Sequence, residues 1–423
     1  MKIFKVIIFF IGLLSEIFSV SGQSVTIQAS KTSTTPLVIA LVGHENQAFR
    51  EKGSMLARAL EWTELFTVSV VEMKHHPHHK NDIKKYADKG RLFIAIEEGS
   101  HSFEIRVYEV KTGQFIKGER IEKKGGDRAQ AYAIADEIFK ELTGLPGSSS
   151  SLIVYCKKDQ KNKNKTLLCV SDCDGSHERV ITTINEIAVA PRWNRDEEVP
   201  FILYSEYTPV NLALMLVDLK GNRRVAVNFD GINMQPAFSP QGDHVLVCLS
   251  VEGSTHIYKC VTDRLTGKRK FIRLTSGSSN NLSPVYMGEH EIAFCSDRAG
   301  MRPEIFTMND HGKHIKKIST AMAVSPTYCS QTGMLAYIEF IKGVAQIILY
   351  NPKTGVKEQV THDSMHKEDV SFSPCGNYIV FSVIYEGRQQ IVVQSFLTGS
   401  RRLITDSQAL CGYPCWSWFQ LVI

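Results

Sequence analysis

A repeat of about 44 residues runs through the last two thirds of the chain, and a period of that length restricts the fold to a ring or stack of equivalent units. A proline with an aromatic residue two positions on recurs as Pro191 with Trp193, Pro236 with Phe238, Pro284 with Tyr286, Pro326 with Tyr328 and Pro414 with Trp416. In the fifth unit Val370 takes the proline's place, with Phe372 after it. A second series keeps phase with the first: turns ending in glycine, from DCDG to FLTG, place Gly175, Gly221, Gly267, Gly312, Gly355 and Gly399 at steps of 43 to 46 residues. Proline fixes φ at the second position of a turn, and glycine lets the backbone leave it without a side-chain clash, as in FSPQG (Pro240, Gly242) and FSPCG (Pro374, Gly376). Between the turns lie short strand-like runs such as HVLVCLS, EIAFCS and YIVFSV. Four short strands per unit of about 44 residues make a propeller blade.

The two ends of the repeat settle the blade count. SLIVYCKK at 151–158, TLLCVSD and RVITT supply three strands of a first unit that has no proline-aromatic strand of its own, and PCWSWFQLVI supplies that missing strand. The spacing therefore predicts an all-β six-bladed propeller closed by the C-terminal strand, which removes two open sheet edges.

Ahead of the repeat, Lys2 and Lys5 precede an apolar run from Val6 to Leu14, followed by small residues at Ser19, Ser21 and Gly22. This is the layout of a cleaved signal peptide. A membrane anchor is the other reading, but the run is shorter than the roughly 20 residues that cross a bilayer, and Glu16 interrupts its far end. From Pro36 to Gly147 the pattern is that of a small α/β domain. PLVIALVG, VSVVEM, RLFIAIEE and FEIRVYEV read as strands. Met55, Leu56, Ala59, Leu60 and Trp62 form one helical stripe, and a second helix is expected from Asp127 to Gly144, with Gln130 completing a capping box. The expected organisation is a leader (1–22), a flexible segment (23–35), an α/β domain (36–147) and a propeller (148–423).

Charge and cysteine content narrow the function classes. A net charge of +5 over 423 residues does not point to nucleic acid. The cluster HHPHH (His75, His76, His78, His79) has a proline at its centre and no carboxylate or cysteine at short spacing, so an exposed polar loop is expected rather than a metal site. Neither GxGxxG nor GxxxxGK[ST] occurs, and no cofactor is expected. All ten cysteines lie from residue 156 onward, several within strand-like runs, and most are expected to be free and buried. Cys169 with Cys173, and Cys411 with Cys415, are the candidate disulfide pairs in an exported chain.

The [FW]SPxG turns, the segment AFCSDRAGMRPEIFTMNDHGKHIKKIST at 293–320 and the junction IADEIFKELTGLPG at 134–147 leading into LIVYC resemble the TolB family, the periplasmic propeller proteins of the Tol-Pal envelope system. The resemblance implies a periplasmic, monomeric, non-catalytic adaptor that supports envelope integrity and cell division. Its propeller would bind the peptidoglycan-associated lipoprotein Pal, and its N-terminal segment, here Gln23, Ser24, Val25, Thr26 and Ile27, would engage the inner-membrane protein TolA. Family members favour Asn three residues before the blade proline, a pattern kept by Asn233 and Asn281. The SPDG turn of such repeats becomes SPQG and SPCG here. Loops leading into the innermost strands surround the central channel, and the candidate contact residues among them are Asn233, Asn281, His366, Glu368 and Tyr413. For the two asparagines, turn capping is the equal alternative. The aromatic markers are expected to pack between blades. The rival function is a propeller enzyme, a lyase or hydrolase with its site in the channel loops. A propeller-capped peptidase is not expected, because no GxSxG elbow is present.

Overall fold

The computed structural model describes residues 34–418 apart from 44–46, 252, 263–267 and 386. The expected leader, the candidate partner-binding residues Gln23 to Ile27 and the turn glycine Gly267 lie outside the described residues.

The leading domain runs β1 (Thr35–Val42), α1 (Gln47–Trp62), β2 (Phe66–Met73), α2 (Lys80–Lys84), β3 (Leu92–Glu98), β4 (Ser102–Glu109), β5 (Gln114–Glu122) and α3 (Asp127–Thr143). Its sheet has the order β2-β1-β3-β4-β5, with β1 parallel to β2 and β3 and the remaining pairs antiparallel. The stripe expected on α1 buries Leu56, Ala59 and Leu60, and α3 buries Ala131, Ile134, Ala135, Ile138, Phe139 and Leu142. Both helices cover the sheet face formed by Leu37, Ile39, Leu41, Ile94 and Ile96. Strand alternation turns Val38, Ala40 and Phe93 to the other face, where Ile83 of α2, a helix the periodicity did not indicate, packs against them.

The capping box expected at α3 does not form. Gly126 occupies the N-cap and has no side chain to contribute. The Gln130 amide instead donates to Gly125 O (2.8 Å) and accepts from the buried Lys52 ammonium (2.9 Å). At the other end Gly144, at φ 72°, sends its N–H to Lys140 O and closes the helix.

The propeller has six four-stranded antiparallel sheets. Blade 1 combines Cys411–Trp416 with Leu152–Lys158, Thr166–Asp172 and Arg179–Ile184. The innermost strands of blades 2 to 6 are Ala188–Trp193, Asn233–Phe238, Asn281–Tyr286, Ala323–Cys329 and Lys367–Phe372. Each innermost strand neighbours the next around a closed ring. Closure is the pairing expected from the sequence: Cys411 faces Lys157 and Trp416 faces Ile153, while Ser417 N–H donates to Leu152 O (2.7 Å). The marker aromatics Trp193, Phe238, Tyr286, Phe372 and Trp416 are buried, and the ring of Tyr328 is half-buried.

The turn glycines also bring neighbouring blades together. At Gly312 (φ 76°), between the third and fourth strands of blade 4, a Cβ would stand 2.1 Å from Leu274 O of blade 3. Gly175 of blade 1 meets Ile404 O of blade 6 in the same way. At Gly175, Gly221 and Gly312 the glycine therefore satisfies two demands at once, a left-handed backbone and close approach to the preceding blade, whereas Gly355 meets only the first.

The two domains meet at the seam between blades 6 and 1. Asp136 of α3 is buried and accepts the N–H groups of Ser149 (2.7 Å) and Ser150 (3.0 Å) and the Ser150 hydroxyl, so the linker is tied to the helix. Tyr132 donates to Asp172 of blade 1 (2.9 Å). Trp62 packs on Tyr378 of blade 6 with ring centroids 4.7 Å apart, and Arg402 donates through two nitrogens to Glu64 Oε1. Substituting Gly312→Ala forces both a strained φ and a clash with Leu274 O. We expect a loss of roughly 2 kcal/mol or more in urea unfolding, and an unchanged midpoint would contradict this account of the repeat.

Candidate partner-binding face

Antiparallel blades sort their connections onto two faces. Turns between first and second strands, and between third and fourth, lie on one face; the remaining loops, including those that lead into the innermost strands, lie on the other. Tyr378, Asn377, Asp172, Thr398 and Arg402 all belong to the first set, so the leading domain covers part of that face. The opposite face does not carry the leading domain and surrounds the channel mouth.

Every innermost strand carries a bulge at one repeated position. Ala190, Gln235, Ser283, Ser325, Asp369 and Tyr413 have φ between 50° and 57°, and the ladder shifts register beside each of them. A left-handed conformation costs a non-glycine residue roughly 1–2 kcal/mol, and its use in six equivalent places marks it as part of the blade design. The bulge residue immediately precedes the marker proline, or Val370 in blade 6. A residue before proline ordinarily reads as extended, so the repeat gives the position but not the conformation. Two of these side chains tie one blade to the next: Gln235 Oε1 accepts the Ser283 N–H (2.8 Å), and the Asp369 carboxyl accepts the Tyr413 N–H.

The five candidate contact residues separate into two groups. Asn233 and Asn281 are fully buried and serve as loop clamps. Asn233 Nδ2 donates to Leu212 O (2.9 Å) and Phe229 O (2.7 Å), and its Oδ1 accepts the Phe229 N–H (2.9 Å). Asn281 donates to Ser279 O (2.8 Å) and accepts from Ser296 Oγ (3.0 Å) and Arg298 (2.6 Å). The capping alternative accounts for both, and neither side chain is on the surface. His366 is exposed, while Glu368 and Tyr413 are half-buried. These three lie on the neighbouring blades 6 and 1, and Glu368 is held by Gln389 (2.7 Å).

All ten cysteines are free and buried. Cys411 and Cys415 sit on opposite faces of the closing strand, in separate apolar clusters, which explains why they do not pair. Cys169 and Cys173 share one cluster with Cys375 and remain thiols there. The HHPHH loop is exposed apart from the half-buried His76 and its adjoining proline, and His76 Nε2 meets Glu97 at 2.7 Å. Among the described residues no group of three or more His, Cys, Asp or Glu side chains is placed to hold a metal ion. No described helix is long and apolar enough to cross a membrane.

Residues 139–324 match the TolB beta propeller domain. The matched stretch covers the end of the leading domain and the propeller up to the start of blade 5. Over 269 residues the chain is 25% identical to the Tol-Pal system protein TolB of Rickettsia africae (strain ESF-5), and equally to that of Rickettsia conorii (strain ATCC VR-613 / Malish 7), a match covering 60% of this chain. It also spans 60% of the length of those relatives. The whole fold, leading domain included, is similar to the crystal structure of TolB from Acinetobacter baumannii, with a TM-score of 0.73, 22% identity and coverage of 92% of this chain and 98% of that one.

Within this ring, the carboxyl of Asp369 is altered by its position on the innermost strand of blade 6. Burial pushes it up to about 6, and Glu368 adds to the effect, whereas Arg192 and the Tyr413 N–H oppose it. The folded chain thus holds a proton that the unfolded chain releases near the ordinary aspartate value. Stability from this group is greatest below about pH 4, falls as pH rises toward 6 and stays at the lower level above that. Asp369→Asn keeps an acceptor for Tyr413 and removes the charge. Urea unfolding should show the variant gaining on the order of 2 kcal/mol at neutral pH, with a flatter profile between those limits; a parallel pH profile would refute the assignment.

Proposed function

We propose that this chain is a non-catalytic adaptor of the Tol-Pal type, exported to the periplasm, where it docks a peptidoglycan-associated lipoprotein on the face around the channel mouth. The observation that carries the proposal is the 269-residue match to curated proteins named Tol-Pal system protein TolB. The architecture supports it: a rigid ring presents one face free of the leading domain, and that face carries His366, Glu368 and Tyr413 side by side on blades 6 and 1. The buried Asn233 and Asn281 shape the loops around this face. They act on a partner by fixing backbone, not by touching it.

The segment Gln23 to Ile27 is proposed as the attachment for a TolA-like inner-membrane protein, so that the chain holds two partners at once and supports envelope integrity and division. The perturbed Asp369 does not favour the enzymatic alternative, because its carboxyl is engaged by a main-chain N–H of the next blade and its neighbours account for its titration.

Affinity isolation from cross-linked envelopes tests both attachments. The chain should retain a peptidoglycan-associated lipoprotein and a TolA-like protein; deleting residues 23 to 30 should remove only the second, and Tyr413→Ala combined with His366→Ala should weaken the first about tenfold or more. Retention of both partners by both variants would reject the proposal.

A further inference from the structure

Five lysines and one aspartate stand between residues 157 and 165, a local charge of +4 in a chain whose total is +5. A charge nearly equal to the protein's total is therefore concentrated at the end of the second strand of blade 1 and in the loop that leads to the third. This connection belongs to the face that does not carry the leading domain.

The loop is built. Asp159 N–H donates to Lys165 O (3.1 Å), Lys165 N–H to Asn162 O (2.9 Å), and the Asp159 carboxylate accepts the Lys161 N–H (2.9 Å). The one acid in the loop is thus engaged by its own backbone. Lys157 pairs with Glu178 at 2.6 Å. Lys158, Lys161, Lys163 and Lys165 form no carboxylate pair among the described residues, and Lys161 and Lys163 are exposed. Lys158 N–H donates to Leu410 O (2.9 Å), which joins the loop to the connection bearing Gln408. Gln408 in turn accepts from the exposed Arg388 of blade 6, which also has no carboxylate partner among the described residues. The cationic surface therefore continues across the seam.

We propose that this surface docks the protein on an anionic lipid bilayer. The choice of partner follows from residue type. Residues 157–165 contain neither arginine nor an aromatic side chain. Nucleic-acid grooves interleave stacking side chains with their cations, and protein interface centres are rich in Arg, Tyr and Trp but poor in Lys. A group of flexible ammonium point charges suits diffuse attraction to lipid headgroups. The inference stands on this surface alone and does not require the partner reading above, although a face that receives a lipoprotein would also face lipid.

Flotation of the purified chain with vesicles tests it. One set contains about 30 mol% phosphatidylglycerol in phosphatidylcholine and the other phosphatidylcholine alone, each at about 20 mM and about 150 mM salt. Binding should require the anionic lipid and weaken with salt. A combined variant, Lys158→Gln, Lys161→Gln, Lys163→Gln and Lys165→Gln, should bind at least about tenfold less, since each lysine near an anionic surface contributes roughly a factor of five. It carries the same N-terminus as the parent, so any contribution of the apolar leader cancels. Its thermal unfolding and its capture of the lipoprotein should be unchanged, which separates this test from that of the adaptor reading. Equal binding to both vesicle sets, no binding at low salt, full binding by the variant, or stronger binding to polyglutamate or a single-stranded oligonucleotide than to the anionic vesicles would overturn the proposal.

Discussion

The structure depends on one strand pairing between residues some 265 positions apart. The closing strand Cys411–Trp416 is the innermost element of blade 1, and the ring has no other route to completion. Two buried tryptophans secure it by donating hydrogen bonds: Trp416 Nε1 to Ser151 Oγ (2.7 Å) and Trp193 Nε1 to Cys415 O (3.2 Å). Without that pairing the strand Leu152–Lys158 and the flank of blade 6 would become exposed edges, and the channel mouth would lose its fixed outline.

Closure also explains why strained residues are tolerated. Six innermost strands converging on a narrow channel must bend at the same height, and the left-handed residue before each marker proline provides that bend. The strain is offset by packing of the aromatic two residues beyond the proline and, at Gln235 and Asp369, by hydrogen bonds to the next strand. Backbone geometry of this kind makes the channel-facing surface rigid, which suits recognition of a preformed partner with little ordering cost.

Much of the fold was legible in the sequence because the repeat reports local chemistry. Proline and glycine turns, short β-branched runs and in-phase aromatics each reflect a rule acting within a few residues, and together they gave the blade count and the identity of the closing strand. What was not legible depends on contacts between blades or domains. Asn233 and Asn281 read as surface candidates because their burial follows from loops folding back over them. Gln130 reads as a capping-box residue from its spacing, whereas its partner Lys52 is brought to it only by the packing of α1 against α3. The bulge residues sat at a readable position, but pre-proline propensity points away from the conformation they adopt. The pairing of Cys411 with Cys415 is lost for the same reason: plain alternation would put residues four apart on one side of a strand, and the bulge at Tyr413 sends them to opposite sides.

The anchoring of the leading domain at the seam bears on the order of assembly. An N-terminal domain emerges first during synthesis, when the closing strand is still more than 250 residues from completion. By holding the linker through Asp136 and the end of Thr166–Asp172 through Tyr132, it fixes part of the first blade as a platform against which the rest of the ring can accumulate. The entropic cost of the last, most distant contact is thereby shifted from joining two free ends to docking one strand onto a prepared site.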